Sequence, residues 1–447
     1  MTYDLVIHHG TILTVNTAND IISDGLICID KTRLARVEAR QPGTPLPAAR
    51  KTIDAGGGLI LPGLVNTHTH LPMTLLRGLA DDLPLDVWLN EYIFPTEGRC
   101  VNPEMVRTGA RLAAAEMLLS GTTTCCDGYF HEDHVAGAIS QTGLRAVLGQ
   151  GVIDFPAPGV PDPSRNIQAA ADFIDHWKNK APLITPSVFC HSPYTCGPET
   201  LQAAKKLADD RNVLFQIHVA ETRTEVAQSR AAQGDTPVAY LDRLGLLDRH
   251  TLLVHGVHLS KADMDILARS GAGLSHNPES NLKLGAGIAP VPALAARGIT
   301  VGLGTDGCAS NNDLDLFGEM DTAAKIHKGA GEDPTVMDAR SVLRMATIDG
   351  ARAIGLDALI GSLETGKQAD VIILNTRRPH LVPLYHPASH IVYAARGSDV
   401  NDTIIAGQRR VADGRLTALD LDAIIDAARI FGRRIQPGPP DNPKEMA

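Results

Sequence analysis

Residues 62–70 read PGLVNTHTH, and the stretch from Gly63 to His70 has the apolar start and polar finish of a buried strand that ends at a site. Successive side chains of a strand alternate faces, so His68 and His70, two apart, turn both imidazoles the same way. Two nitrogen donors then converge on one point. Taken alone, such a pair also reads as a hydrogen-bonded polar patch, and the rest of the chain has to decide between that and a metal site.

Seven further apolar, β-branched runs follow: Thr122 to Tyr129, Leu144 to Asp154, Leu183 to Ser192, Leu214 to Glu221, Thr251 to Leu259, Ala272 to Asn277 and Ile299 to Gly307. Helical patterns fill most of the gaps, as at Arg107 to Leu119 and Glu199 to Ala208. Strands alternating with helices in this way pair in parallel. Eight strands are the number that closes a (β/α)8 TIM barrel of the α/β class, which is the expected fold, although an open doubly wound sheet shows the same alternation.

In a barrel, strand ends distant in sequence become neighbours. His218 lies near the end of the fifth run, His255 in the sixth and Asp306 in the eighth, each where apolar strand passes into loop. Imidazoles and a carboxylate gathered at the C-terminal edge suit a borderline divalent metal. Each residue by itself also reads as a hydrogen-bonded histidine or a loop-capping aspartate. Glu221, three after His218, stands where a carboxyl can shuttle a proton, against the plainer reading of a surface ion pair, which is also the reading of Glu225. The fourth run, SVFCHSPYTC, offers His191 and no lysine, which favours one metal over two bridged by a modified lysine. The expected chemistry is a divalent ion that activates water, Asp306 taking the water's proton, His255 orienting the nucleophile and Glu221 serving as general acid and base.

The chain has 447 residues, enough for a barrel and a smaller companion. Before the first barrel run, Asp4 to His8, Gly10 to Val15, Gly25 to Ile29, Leu34 to Val37 and Lys51 to Ile53 keep the rhythm of a small antiparallel sheet. Ala369 to Leu374, Ile391 to Ala394 and Val400 to Ala406 repeat it near the other end, so the two ends are expected to complete one sheet structure. The expected organisation is 1–61 and 366–447 for that unit, with 62–365 for the barrel. Leu421, Ile424, Ile425 and Ala428 fall at helical spacing and predict a terminal helix packed on the body.

A formal net charge of -10 argues against a nucleic-acid partner, which requires a basic stripe. The opening residues lack a signal peptide's basic end and apolar run, and no stretch is long enough for a membrane span, so the expectation is a cytoplasmic homo-oligomer acting on a small molecule. Seven scattered cysteines, an odd number, read as buried reduced thiols.

The pieces PGLVNTHTHLPMTLLRGLADDLPLDVWL, HVAET, SHNPESNLKLGAGIAP and LGTDGCASNN resemble the amidohydrolase superfamily over nearly the whole chain. DDLPLDVWL, followed by FPTE and HSPYTC, narrows the resemblance to its methylthioadenosine and S-adenosylhomocysteine deaminases. The resemblance implies a TIM barrel set against a small β-sandwich built from both chain ends, zinc on His68, His70, His218 and Asp306, with iron or nickel as alternatives, His255 near the hydrolytic water and Glu221 as proton shuttle. It implies that Glu97 accepts from ribose hydroxyls, that His191 contacts the nucleoside and that Trp88 lines the pocket for the 5' group. Arg165 resembles the arginine that meets a homocysteine carboxylate, and Gln150 stands where some relatives carry a second arginine. Ser310 and Asn281 look like pocket-lining positions. The expected function is hydrolytic deamination of an adenine nucleoside to the hypoxanthine nucleoside plus ammonia. The rivals are a chloro- or aminotriazine hydrolase, a guanine-type deaminase, a non-catalytic barrel scaffold and an open-sheet sugar or nucleotide binder, the last weakened by the absence of a Gly-rich phosphate loop.

Overall fold

The computed structural model describes residues 2–41 and 43–435, so the far ends of the two outer spans, residues 1 and 436–447, and residue 42 lie outside the described residues. The N-terminal segment supplies five strands, Tyr3–Leu13 (β1), Ile21–Asp30 (β2), Arg33–Ala39 (β3), Ala49–Asp54 (β4) and Leu59–Pro62 (β5). Eight more follow: Leu64–Thr69 (β6), Thr122–Tyr129 (β7), Arg145–Val152 (β8), Ile184–Cys190 (β9), Phe215–Val219 (β10), Thr251–His255 (β11), Gly273–His276 (β12) and Val301–Leu303 (β13). The last four are Val371–Leu374 (β14), Val400–Ile405 (β15), Gln408–Ala412 (β16) and Arg415–Leu416 (β17).

All eight barrel runs contain strands, none longer than its apolar run, and they pair in parallel in chain order from β6 to β13. β13 returns against β6. There the Asp306 N–H donates to the His68 carbonyl (3.0 Å), and Thr69 pairs with Asp306. A Cβ on Gly304 would stand 2.5 Å from the Asn277 side chain and 2.8 Å from the His68 nitrogen, so this approach of first and last strands requires glycine. β6, β7 and β8 are buried at every position, as parallel strands covered on both faces must be. The covering helices begin where local chemistry dictates. In Pro103–Leu119, for example, Asn102 caps the Glu104 and Met105 N–H groups, and Pro103 fills the first turn, which needs no donor.

The two chain ends share one nine-stranded sheet, but it is mixed rather than antiparallel. After β3 the chain returns to the start of β1, where Tyr3 N–H donates to the Ala48 carbonyl (2.9 Å). β4 and β5 therefore run parallel to β1. β5 lies between β1 and β14 and joins the ends directly. The two runs from Asp4 to Val15 form one strand with irregular register around Gly10, where His9 has φ 60. A second difference is Ile391 to Ala394, expected as strand. Pro387 starts a helix there, Pro387–Tyr393, and proline at the first helical position is the signal that outweighs the β-branched pair. The terminal helix, Leu421–Ile435, packs on Pro103–Leu119 with Phe431 and Ile435 buried. All seven cysteines are free, and six are buried. No helix among the described residues is long and apolar enough to cross a membrane.

Sheet and barrel are tied by a buried ion pair. Arg145, on β8, donates to both oxygens of Asp370 (2.9 and 3.1 Å), and Asp370 also accepts from the Ala406 N–H (2.7 Å). Both side chains are more than nine-tenths buried. Removing one partner strands the other charge, so Arg145→Met should lower unfolding free energy by about 3–5 kcal/mol, read from the denaturant midpoint. An unchanged midpoint would show that the tie contributes no net stability.

Candidate functional site

Four side chains meet at the C-terminal edge of the barrel. His68 Nε2 lies 3.2 Å from His218 Nε2 and 3.3 Å from Asp306 Oδ1, and His70 Nε2 lies 3.3 Å from the same oxygen. Ligands held tetrahedrally at zinc's 2.0–2.1 Å are themselves separated by about 3.3–3.4 Å. His68, His70 and Asp306 stand close enough to share one ion, and so do His68, His218 and His255, the two groups meeting at His68; imidazole nitrogens with a carboxylate oxygen suit a borderline metal. Protonation fits too. Burial lowers His68 to about 4 and also holds His218 well below the usual imidazole range, so both offer neutral lone pairs. The Gly128 carbonyl accepts from His70 Nδ1 (2.6 Å), which leaves Nε2 bare toward the centre.

Asp306 is held on every side. Gly307 N–H donates to Oδ1 (2.8 Å), and the hydroxyls of Ser280 and Ser310 donate to Oδ2 (2.7 and 2.8 Å). Burial works against its charge, but the His68 hydrogen bond and the surrounding imidazoles hold it well below the usual carboxylate range. His255 donates through Nδ1 to Asn281 Oδ1 (2.9 Å), so Nε2 faces Glu221 Oε2 at 3.8 Å. Burial opposes a proton on His255, yet the Glu221 and Asp306 carboxyls outweigh it and raise the imidazole. Burial also raises Glu221. Three turning points in this edge, Ala220, His255 and Asp306, take left-handed backbone (φ 50, 72 and 64), a strained state for residues with a side chain that functional sites retain.

These groups form the floor of a cavity whose walls are mostly apolar with a few convergent polar groups, the make-up of a small-molecule site. The segment from Leu85 to Cys100 covers it as three short helical pieces with a single π turn, Trp88–Ile93, in the middle. Trp88 and Glu97 from this cover line the cavity, as do His191 and Ser310. Glu97 is buried and accepts from the Tyr129 hydroxyl; burial pushes its carboxyl up to about 7.

Two expected pocket residues are not brought in. Gln150 is buried outside the cavity, its oxygen accepting from the Glu132 N–H (3.2 Å). Arg165 is exposed at a turn before the helix Asn166–Trp177 and does not line the cavity. Gly151, Val152 and Ile153 line the hollow, and Gln150 does not. Asn281 likewise supports His255 from behind rather than lining the cavity. Sequence reasoning missed Ser280 and the Tyr129 partner of Glu97. Tyr129 ended a recognised strand run, so its position was readable but its partner was not. Glu225, expected as a surface ion pair, is instead buried and accepts from the Ala220 and Glu221 N–H groups (2.8 and 2.7 Å).

A parallel barrel whose strand ends gather imidazoles and a carboxylate at metal-ligand spacing defines a metal-dependent hydrolase. A profile of the Amidohydrolase family matches residues 59–410, and the chain belongs to that family. It is 46% identical to a 5-methylthioadenosine/S-adenosylhomocysteine deaminase of Syntrophobacter fumaroxidans, over 97% of this chain and 99% of the relative. It is 45% identical to a 5'-deoxyadenosine deaminase of Methanothermobacter thermautotrophicus, over 91% of this chain and 94% of the relative. Among solved structures it is similar to an adenosine deaminase from Xanthomonas campestris with bound zinc, with TM-score 0.95, 39% identity and coverage of 97% and 99%.

Chelated protein titrated with zinc should show one tight site per chain. Asp306→Ala should weaken that site by at least about tenfold, and full affinity in the variant would remove Asp306 from the ligand set.

Proposed function

We propose that this protein catalyses zinc-dependent hydrolytic deamination of adenosine-type nucleosides, preferring those with an apolar 5' group such as methylthio or hydrogen over a homocysteine tail or a plain hydroxyl. The carrying observation is that one cavity holds both Glu221, beside the converging imidazoles, and Glu97, a buried carboxyl bonded to Tyr129. A hydrolase of free bases or triazines has no ribose for Glu97 to hold. The relatives named as deaminases of 5'-substituted adenosines support the same reading.

His68, His70, His218 and Asp306 would hold the ion, which when bound lowers the pKa of water from 15.7 to about 7. His255 Nε2 orients the attacking water while its Nδ1–H is anchored on Asn281. Asp306 takes the water's proton, its carboxylate held in place by the Gly307 N–H and two serine hydroxyls. Glu221 carries the proton to the ring nitrogen beside the amino-bearing carbon. It then takes the water's second proton from the added hydroxyl and gives it to the amine as the carbon–nitrogen bond breaks, so that ammonia leaves and the hypoxanthine carbonyl forms. His191, half-buried and lowered to about 4 by burial, meets the nucleoside as a neutral imidazole. From the cover, Trp88 lines the space for the 5' group and Glu97 holds the ribose.

The 5' preference follows from the walls. Leu85, Leu89, Ile93, Phe130, Val152 and Ile153 line the cavity, and among its lining residues there is no lysine or arginine. A homocysteine carboxylate placed there without a partner costs about 1–3 kcal/mol, roughly 5- to 150-fold in kcat/KM. Cytoplasmic location and assembly as a homo-oligomer complete the proposal, the latter read by light scattering.

A panel of 5'-methylthioadenosine, 5'-deoxyadenosine, S-adenosylhomocysteine, adenosine, guanine and chlorotriazine, followed by ammonia or chloride release, tests the reading. Preference for guanine or the triazine would overturn the nucleoside assignment, and equal use of the homocysteine compound would overturn the 5' preference. Glu221→Gln should cut kcat by about 100- to 10,000-fold at normal zinc content; unchanged turnover removes it from the mechanism. Glu97→Ala should weaken nucleosides far more than free adenine, and an equal loss for both would mean that Glu97 never meets ribose.

A further inference from the structure

β10 ends at Val219, and the chain turns sharply through Ala220, at φ 50, before the helix Arg223–Gln233 begins. Thr222 caps that helix by accepting from the Glu225 N–H (3.1 Å). In a capping box the carboxylate at this third helical position would return to the N–H of the cap residue itself. Glu225 reaches past it. One oxygen accepts from Ala220 N–H (2.8 Å) and the other from Glu221 N–H (2.7 Å), so both carboxylate oxygens grip the turn that carries Glu221. The side chain is buried at 6% exposure, an expensive place for an acid with no cation bonded to it.

We infer that Glu225 is a positioning residue for Glu221, clamping the strained turn so that the Glu221 carboxyl starts from one fixed place. The inference rests on the reading of Glu221 as the proton carrier. A turn with a left-handed alanine relaxes when its N–H groups lose their acceptor, and a displacement of about 1 Å at a reacting group costs on the order of 100-fold in rate. The cost falls on proton transfer rather than on binding, because Glu97 and the apolar walls are untouched.

The test uses zinc-loaded protein. Glu225→Gln keeps one acceptor oxygen but turns an amide N–H toward the other donor, and should lower kcat by about 10-fold; Glu225→Ala should lower it by about 100-fold. In both, KM should stay within about threefold and zinc content should be unchanged. In a Glu221→Gln background, Glu225→Gln should cause no further loss, because its effect passes through Glu221. Should the alanine variant fail to fold, the glutamine variant and the double variant carry the test. Turnover within about twofold of the parent in Glu225→Gln, or a full further loss in the Glu221→Gln background, overturns the inference. A fully active Glu221→Gln enzyme would instead overturn the role of Glu221, a separate result.

Discussion

One hydrogen bond, from the Asp306 N–H to the His68 carbonyl, closes the barrel and assembles the site in the same act. It sets the last strand against the first, and with it a carboxylate 3.3 Å from two imidazoles that precede it by more than 230 positions. Everything chemical at this edge depends on that closure. The bond in turn depends on Gly304, since a side chain there would collide with Asn277 and the His68 backbone. The structural requirement of closing a ring and the chemical requirement of a ligand set are therefore met by the same few atoms.

Around this point the protein divides labour between groups that touch the centre and groups that hold them. Ser280, Ser310 and Gly307 hold Asp306. Asn281 fixes His255, and the Gly128 carbonyl fixes His70. Such outer partners set tautomer and direction, which bare proximity leaves open. The burial that makes them effective also sets protonation. His68 and His218 stay neutral, while His255, between two carboxyls, is pushed the other way.

Much of this was legible in the sequence because strands and ligands obey short periods. Buried parallel strands are continuous β-branched runs, and all eight were found. Histidines two apart at a strand end share a face whatever the rest of the chain does. What resisted reading was decided by contacts remote in sequence or by competing local signals. Gln150 sits one residue from the cavity wall, yet its side-chain oxygen is taken up by the Glu132 N–H, from an element remote in sequence. Glu225 looks like any charged residue on an amphipathic helix, and only the left-handed turn at Ala220 bends the preceding backbone into its reach. Ile391 to Ala394 carries strand-forming residues, yet Pro387 starts a helix through them. The direction of β4 and β5 depended on where the chain returned, which no residue in them encodes.

The position of β5 between β1 and β14 carries a consequence for biosynthesis. A nascent chain leaving the ribosome can pair β5 with β1 early, but the other edge of β5 stays open until more than 300 further residues have been made. Through that interval an apolar strand edge, Leu59 to Leu61, waits for a partner that is still being translated. The last-made strands thus finish what the first-made ones begin, and a message truncated anywhere before β14 would yield a protein with an adhesive seam.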